Sequence, residues 1–308
     1  MNRLKPHAEG TLHKKLVYIR NNWQLYVFFM LPALALTIVF KYLPMGGLAI
    51  AFQDYNNRKG IWGSDFIGFA HFMRFLSSPD FITLMANTLK LSIYGLLWGF
   101  FPPVILAIIM SRIRSAGIKR NIQLLIYAPN FISVIVMSGM IITFLSPVGP
   151  VNQLLGTSSN LMTDPDAFRP IYIASGIWQG AGWASIIYTA TLSGVSSELV
   201  DACNIDGASL FQQILNIDIP TLKPIMVIQF ILSAGQIMSI GFEKALALQT
   251  DLNRAASEII PTYVYKMGLQ IGDYSYSTAV GLFNSVINVI LLITVNTIVS
   301  RLNEGEGL

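Results

Sequence analysis

Charged residues are scarce in this chain. Only 12% of its 308 residues are Asp, Glu, Lys or Arg, whereas 53% are hydrophobic, and the mean hydropathy is +0.57. Soluble globular domains carry about 25% charged residues. So few charges cannot cover the surface of a water-facing protein of this length, which excludes an ordinary soluble domain. A lipid bilayer accepts apolar surface on the outside of a fold, so the composition indicates a membrane protein.

Cysteine and histidine are nearly absent as well. The single cysteine, Cys203, excludes an intramolecular disulfide. The three histidines, His7, His13 and His71, are too scattered along the sequence to form a metal-binding cluster, so no metal site is predicted.

Two motifs that carry catalytic chemistry are missing. The chain has no P-loop of the form Gly-x-x-x-x-Gly-Lys-Ser/Thr, so it lacks that device for cradling ATP phosphates. It also has no His-Glu-x-x-His sequence, which is typical of zinc metalloproteases. We therefore predict that the chain is not an enzyme, has no catalytic residues and binds no cofactor itself.

Six apolar stretches are long enough to cross a bilayer, which takes about 20 residues. They are Leu25–Phe40, Thr88–Met110, Gln123–Leu145, Ile171–Leu192, Ile225–Ile240 and Thr278–Val299. None contains Asp or Glu, which argues against the buried proton relay of an ion-coupled transporter. The predicted fold is all-α and polytopic, with six transmembrane helices. One domain, residues 23–300, is expected between an N-terminal segment, 1–22, and a short tail, 301–308.

The orientation is predicted from the basic residues. An isoelectric point near 9.1 does not indicate nucleic acid here, because no basic stripe with interleaved aromatic residues occurs. Lys and Arg instead cluster before the first span and between the second and third spans, in line with the positive-inside rule. They are Arg3, Lys5, Lys14, Lys15 and Arg20, then Arg112, Arg114, Lys119 and Arg120. Both segments are therefore expected in the cytoplasm, and with six spans so are both termini.

One loop, residues 196–220, is an exception to the charge rule. It should be cytoplasmic by alternation, yet it is acidic. Its acids are Glu198, Asp201, Asp206 and Asp218. We predict two short helices broken at Gly207, since glycine suits the left-handed residue that follows a helix.

The ends of these two helices are predicted from capping preferences. Ser196 or Ser197 can cap the first helix, and Asp206 or Ser209 can cap the second. Pro220 is expected to end the second helix, because the residue before a proline is pushed out of helical geometry.

The acidic loop resembles the EAA loop of permease subunits in binding-protein-dependent ABC importers. That family has an acid-Ala-Ala triplet, then a Gly, and further on an Ile-Pro-like ending. The matching residues are Asp201-Ala202-Cys203, Asp206-Gly207-Ala208, Ile214 and Ile219-Pro220. Two positions depart from the pattern, because Asp201 replaces the usual Glu and Cys203 replaces the second Ala.

The resemblance to the sugar-importing branch, the maltose-transporter type, extends over most of the chain. His71 stands where members of that branch have Asn. The matching segments are Phe66–Phe72, Pro79–Phe81, Asn87–Leu89 and Gly149–Leu155, with Trp178, Gly182, Tyr188, Ala190 and Leu192 in the fourth span.

The resemblance implies a type I ABC importer permease fold and a set of partners. The acidic loop would be the coupling helix that docks into a cleft on an ATP-hydrolysing subunit. The residues implied are Glu198, Leu199, Asp201, Ala202, Cys203, Asp206, Gly207 and Ala208. The implied partners are a second homologous permease, two ATP-binding subunits that carry ATP and Mg, and an extracytoplasmic solute-binding protein. All would assemble at the cytoplasmic membrane of a prokaryote.

Neutral polar residues within the spans are candidates for a solute path. They are Asn87, Tyr94, Asn130, Gln179, Tyr188, Gln229, Gln236, Asn284 and Asn288. Amide and phenol groups suit a polyhydroxy solute better than an ion. For any single residue the alternative is a hydrogen bond between helices.

We therefore expect a permease subunit that imports a carbohydrate, such as an oligosaccharide or sugar derivative, with the motor on another polypeptide. The alternative is a secondary transporter or channel that acts alone on a polar solute. Uptake by the purified chain without any ATPase would distinguish the two.

Overall fold

The computed structural model describes residues 21–238 and 241–302. Most of the predicted N-terminal segment, the end of the fifth predicted span and the tail after Leu302 lie outside the described residues. The chain divides into two compact units, Met1–Gly68 and Phe69–Leu308.

The first unit is built on one long helix, α1 (Trp23–Phe52). Its last part, Leu43–Phe52, is a 3₁₀ helix. A short hairpin follows, in which β1 (Gln53–Asp54) pairs antiparallel with β2 (Asp65–Phe66). The single turn of helix α2 (Gly60–Gly63) lies between the two strands. Large apolar side chains project from all round α1, as expected for a helix that faces lipid.

In the second unit all the described secondary structure is helical, with loops between the helices. In chain order its helices are α3 (Ala70–Leu76), α4 (Phe81–Arg112), α5 (Ala116–Tyr127), α6 (Val134–Phe144), α7 (Pro150–Leu155), α8 (Pro165–Leu192), α9 (Ser197–Ile205), α10 (Leu210–Ala234), α11 (Phe242–Leu248), α12 (Arg254–Ser257), α13 (Ile260–Tyr265) and α14 (Tyr274–Leu302).

Helix α8 lies inside this bundle. It packs along α4 and also contacts α5, α10, α11 and α12. Its close approach to α5 depends on Gly182, because a Cβ there would lie 1.9 Å from the carbonyl oxygen of Ile126. Both helices contribute to two buried apolar clusters, one that includes Leu91 and Phe168 and another that includes Val104 and Leu192.

Four described helices are long and apolar enough to cross a membrane: α1, α4, α10 and α14. The second and sixth predicted spans fall inside α4 and α14, as expected. The first lies inside α1, which is longer than predicted. The fourth lies inside α8, which has 28 residues but is less apolar than these four. Six spans therefore remain a prediction.

The third predicted span contains a sharp bend. The chain bends by 99° between Ala116–Phe131 and Val134–Phe144. Pro129 cannot donate a backbone hydrogen bond, and the hydroxyl of Ser133 accepts from the N–H of Val136 to begin a new helix. Each half is apolar, so composition alone merges the two into one span.

The fifth predicted span is wrong at its start, and so is the predicted stop at Pro220. One helix, α10, runs from Leu210 to Ala234, with a π-helical stretch at Ile214–Asp218. Pro220 lies where this π-helical stretch passes into the α-helix Ile219–Ala234, and the helix continues through it. The hydroxyl of Thr221 also donates to the carbonyl of Ile217.

Candidate functional site

The acidic loop forms the predicted helix–glycine–helix elbow. Ser196 is the residue that caps α9, since its hydroxyl accepts from the N–H of Glu198 at 3.2 Å. Gly207 adopts a left-handed conformation with φ of +74°, and it turns the chain after α9.

Ser209 caps the second helix. Its hydroxyl accepts from the N–H of Gln212, and the side chain of Gln212 accepts from the N–H of Ser209 at 2.7 Å. This reciprocal pair is a capping box, which fixes where α10 begins.

The implied coupling residues form an exposed surface on this elbow. Glu198, Leu199, Asp201, Ala202, Asp206 and Gly207 are exposed, whereas Cys203 and Ala208 are partly buried. Two apolar residues that sequence reasoning missed, Ile205 and Phe211, are 86% and 68% exposed beside them. Exposed apolar side chains next to acids are typical of a surface that another protein covers.

Asp218 differs from the other acids of the loop. Its carboxylate is almost completely buried and forms an ion pair with Arg112, the last residue of α4. In the sequence Arg112 indicates only orientation, and no local pattern points to its pairing with Asp218.

Two neighbouring cavities lie between α4, α8 and α10. Their volumes are about 610 Å³ and about 370 Å³, and both are lined by Gly99, Phe100 and Ser233. Tyr188 and Gln229 line the larger cavity, with Trp183 also in its wall. Gln236 and Tyr172 line the smaller cavity. Aromatic rings with a few amide and hydroxyl groups, in spaces of this volume, are typical of small-ligand sites.

Four other predicted path residues instead form hydrogen bonds between segments. Asn87 donates to the carbonyls of Ala255 and Glu258 and accepts from Arg169. Gln179 donates to the carbonyl of Ile132 at 2.9 Å. These contacts fit the alternative of bonding between helices, and a role in the solute path stays a prediction for these residues.

Asn284 and Asn288 both bind the backbone of Met238. Asn284 donates to the carbonyl of Met238, and Asn288 accepts from its N–H, each at 3.1 Å. They hold α14 against the turn that follows α10. The remaining two candidates, Tyr94 and Asn130, do not line either of the two cavities.

The bundle, its central cavities and the exposed elbow define a helical membrane transport component. The comparisons agree, because residues 99–304 match the family described as binding-protein-dependent transport system inner membrane component. The chain belongs to this family, which confirms the resemblance.

Relatives match over nearly the whole chain. Protein LplB of Bacillus subtilis (strain 168) is 40% identical over 294 residues, covering 94% of this chain and 92% of the relative. The polygalacturonan/rhamnogalacturonan transport system permease protein YteP of the same organism is 38% identical over 301 residues, covering 96% and 94%.

Solved structures with this fold are also found. The chain is similar to a subunit of a bacterial ABC transporter involved in the import of the acidic polysaccharide alginate. The TM-score is 0.85 and the identity 34%, covering 94% of this chain and 99% of that one. A second structure of the alginate transporter, in complex with an alginate pentasaccharide-bound periplasmic protein, matches equally well.

Proposed function

We propose that this chain is a permease subunit of an ATP-driven importer that moves an oligosaccharide across the cytoplasmic membrane. The names of its relatives support the substrate class, since they include a permease for polygalacturonan and rhamnogalacturonan and a transporter of alginate. The amide, phenol and indole groups around the two cavities suit the hydroxyls and flat faces of sugar rings.

The observation that carries the proposal is the continuity of α10. The helix begins at Leu210, three residues after the Gly207 elbow, and Gln229 and Ser233 near its other end line the cavity. Its 25 residues span about 37 Å at 1.5 Å per residue. A displacement of the elbow would therefore also move the cavity wall, because one helix connects the two.

The exposed elbow, residues 198–208, is the proposed docking surface for an ATP-binding subunit. Closure of that subunit around ATP and Mg would displace the elbow and change which side of the membrane the cavity opens to. The further partners we propose are a second homologous permease, a second ATP-binding subunit and an extracytoplasmic solute-binding protein. Both termini would lie in the cytoplasm, in line with the basic residues near the N-terminus and after α4.

The test is uptake by the assembled complex in liposomes. Uptake of labelled oligosaccharide should require ATP, the ATP-binding subunits and the binding protein. Uptake by the chain alone would instead establish the stand-alone transporter.

Two substitutions test the elbow. Gly207→Pro forbids the left-handed conformation because proline fixes φ near −65°, and Asp201→Lys reverses an exposed charge on the docking face. Each should lower ATP-dependent uptake at least tenfold. The control is Asp166→Lys, which reverses an exposed charge near the start of α8, away from the elbow. Wild-type uptake by both elbow variants would refute the docking assignment.

A further inference from the structure

A buried ion pair joins the base of the acidic loop to α4. The guanidinium of Arg112 donates through Nη2 to the carboxylate of Asp218, and their side chains are 24% and 6% exposed. Removing either partner would leave the other charge buried and unpaired, so the pair resists separation. The neighbouring Arg114 is exposed and has no ion pair among the described residues.

The pair extends into the loop through Gln213. Arg112 also donates through Nη1 to Oε1 of Gln213 at 3.1 Å. Arginine has only donors, so the oxygen of the Gln213 amide must face it and the nitrogen must face away. That nitrogen donates to Oδ1 of Asn204 at 2.8 Å and to the carbonyl of Ala208 at 3.2 Å.

These contacts connect three separate elements. Asn204 lies on α9, Ala208 follows the Gly207 elbow, and Gln213 and Asp218 lie on α10. Arg112 is the last residue of α4. The same helix lines both cavities at Gly99 and Phe100, about 20 Å away at 1.5 Å per residue.

We infer that Arg112 is a positioning residue that fastens the elbow to α4, so that motion of α9 reaches the cavity along α4 as well as along α10. The inference rests on the proposed function. Two walls of the cavity then move together when the elbow is displaced. We call the side chains of Arg112, Asp218, Gln213 and Asn204 the polar latch. Their contacts transmit a displacement of the elbow to α4.

The first experiment measures coupling in the assembled transporter. Arg112→Gln and Asp218→Asn should each lower oligosaccharide molecules imported per ATP hydrolysed at least fivefold while the ATP-binding subunits still co-purify. The conservative variant Arg112→Lys keeps a cation that can donate to both Asp218 and Gln213, so it should recover a large part of this ratio. Arg114→Gln removes a cation two residues away and should keep the wild-type ratio.

The variant Gln213→Glu keeps one contact of the latch and removes another. Its carboxylate keeps the contact with Arg112, but it has no donor for the Ala208 carbonyl. We expect this variant to lose coupling to the same extent as Arg112→Gln, and co-purification with the ATP-binding subunits checks that it is folded.

A second measurement is independent of transport. Cys203 is the only cysteine of the chain and lies partly buried on α9, so its alkylation by a maleimide reports whether α9 stays in place. Arg112→Gln and Gln213→Glu should speed alkylation of the purified chain at least threefold, and Arg114→Gln should not.

The outcomes are distinguishable. Unchanged alkylation, or an unchanged coupling ratio in Arg112→Gln, overturns the latch. Failure of the wild-type complex to import any oligosaccharide overturns the proposed function instead, while the alkylation rates still decide whether the latch holds α9.

Discussion

Gln179 on α8 donates its side-chain amide to the backbone carbonyl of Ile132, at the point where the chain bends by 99° between α5 and α6. The bend frees backbone groups that a continuous helix would pair internally. In lipid such groups need another partner, and a neighbouring helix supplies it here.

The first prediction concerns this bond. Gln179→Leu leaves the Ile132 carbonyl without its side-chain donor, which should destabilise the fold by about 1–3 kcal/mol. The measurement is the free energy of unfolding in detergent. Ser175→Ala is the control, because its hydroxyl bonds only to carbonyls of its own helix. Equal stability of the two variants would contradict the role given to Gln179.

The structural features that the sequence predicts well are local turns and helix caps. Gly207, Ser196 and Ser209 form their turn and caps with residues only two to four positions away, so spacing rules suffice. The ion pair of Arg112 with Asp218 joins residues 106 positions apart, and no local pattern indicates it.

Two departures from a straight or interrupted helix lie near prolines. The chain bends at Ile132, three residues after Pro129, and Gln179 from another helix bonds the Ile132 carbonyl. The helix continues through Pro220, which follows a π-helical stretch. Proline marks a position where the backbone lacks a donor, but only packing decides whether the helix breaks there.

The second prediction concerns close packing at Gly182. Gly182→Ala places a methyl group against the Ile126 carbonyl, which is backbone and cannot rotate away. Overpacking of this kind costs about 1–3 kcal/mol, so the melting temperature should fall. Gly180→Ala on the same helix meets no atom within 4 Å and should not lower it. A Gly182→Ala variant as stable as Gly180→Ala would show that α5 and α8 separate easily.

The third prediction concerns Lys244 on α11, outside the predicted spans. Its side chain is buried, and Nζ donates to the carbonyl of Tyr172 at 2.8 Å and lies 4.7 Å from the centre of that ring. Burial lowers the pKa of Lys244 from its ordinary value of 10.5 to about 8. Between these values the unfolded chain binds more protons than the folded chain, so stability rises with pH.

The measurement is the free energy of unfolding from pH 7.5 to 10. Lys244→Met should be more stable than the wild type near pH 7.5, because it buries no charge, and its stability should rise less with pH. The exposed Lys223→Met is the control and should keep the wild-type slope. A slope in Lys244→Met as steep as in the wild type would assign the pH dependence to other groups.

The last prediction separates stability from transport at Gly99. This glycine lines both cavities, and a Cβ built on it meets no atom within 4 Å. Alanine is a better helix former than glycine by about 1 kcal/mol in a helix interior, so Gly99→Ala should not destabilise α4. A larger side chain such as Phe fills the space that the two cavities share and should reduce oligosaccharide uptake at least tenfold without unfolding the protein.

The control is Gly139 on α6, which also has open space around its Cβ but lines neither cavity. Gly139→Ala should change the free energy of unfolding as Gly99→Ala does, but it should leave uptake unchanged. The series Gly99→Ala, Gly99→Val and Gly99→Phe should lower the maximal uptake rate stepwise as side-chain volume grows. Stability is expected to hold while uptake falls, so a parallel loss of both would mean that Gly99 serves the fold. Full uptake by Gly99→Phe would mean that the solute does not pass through these cavities.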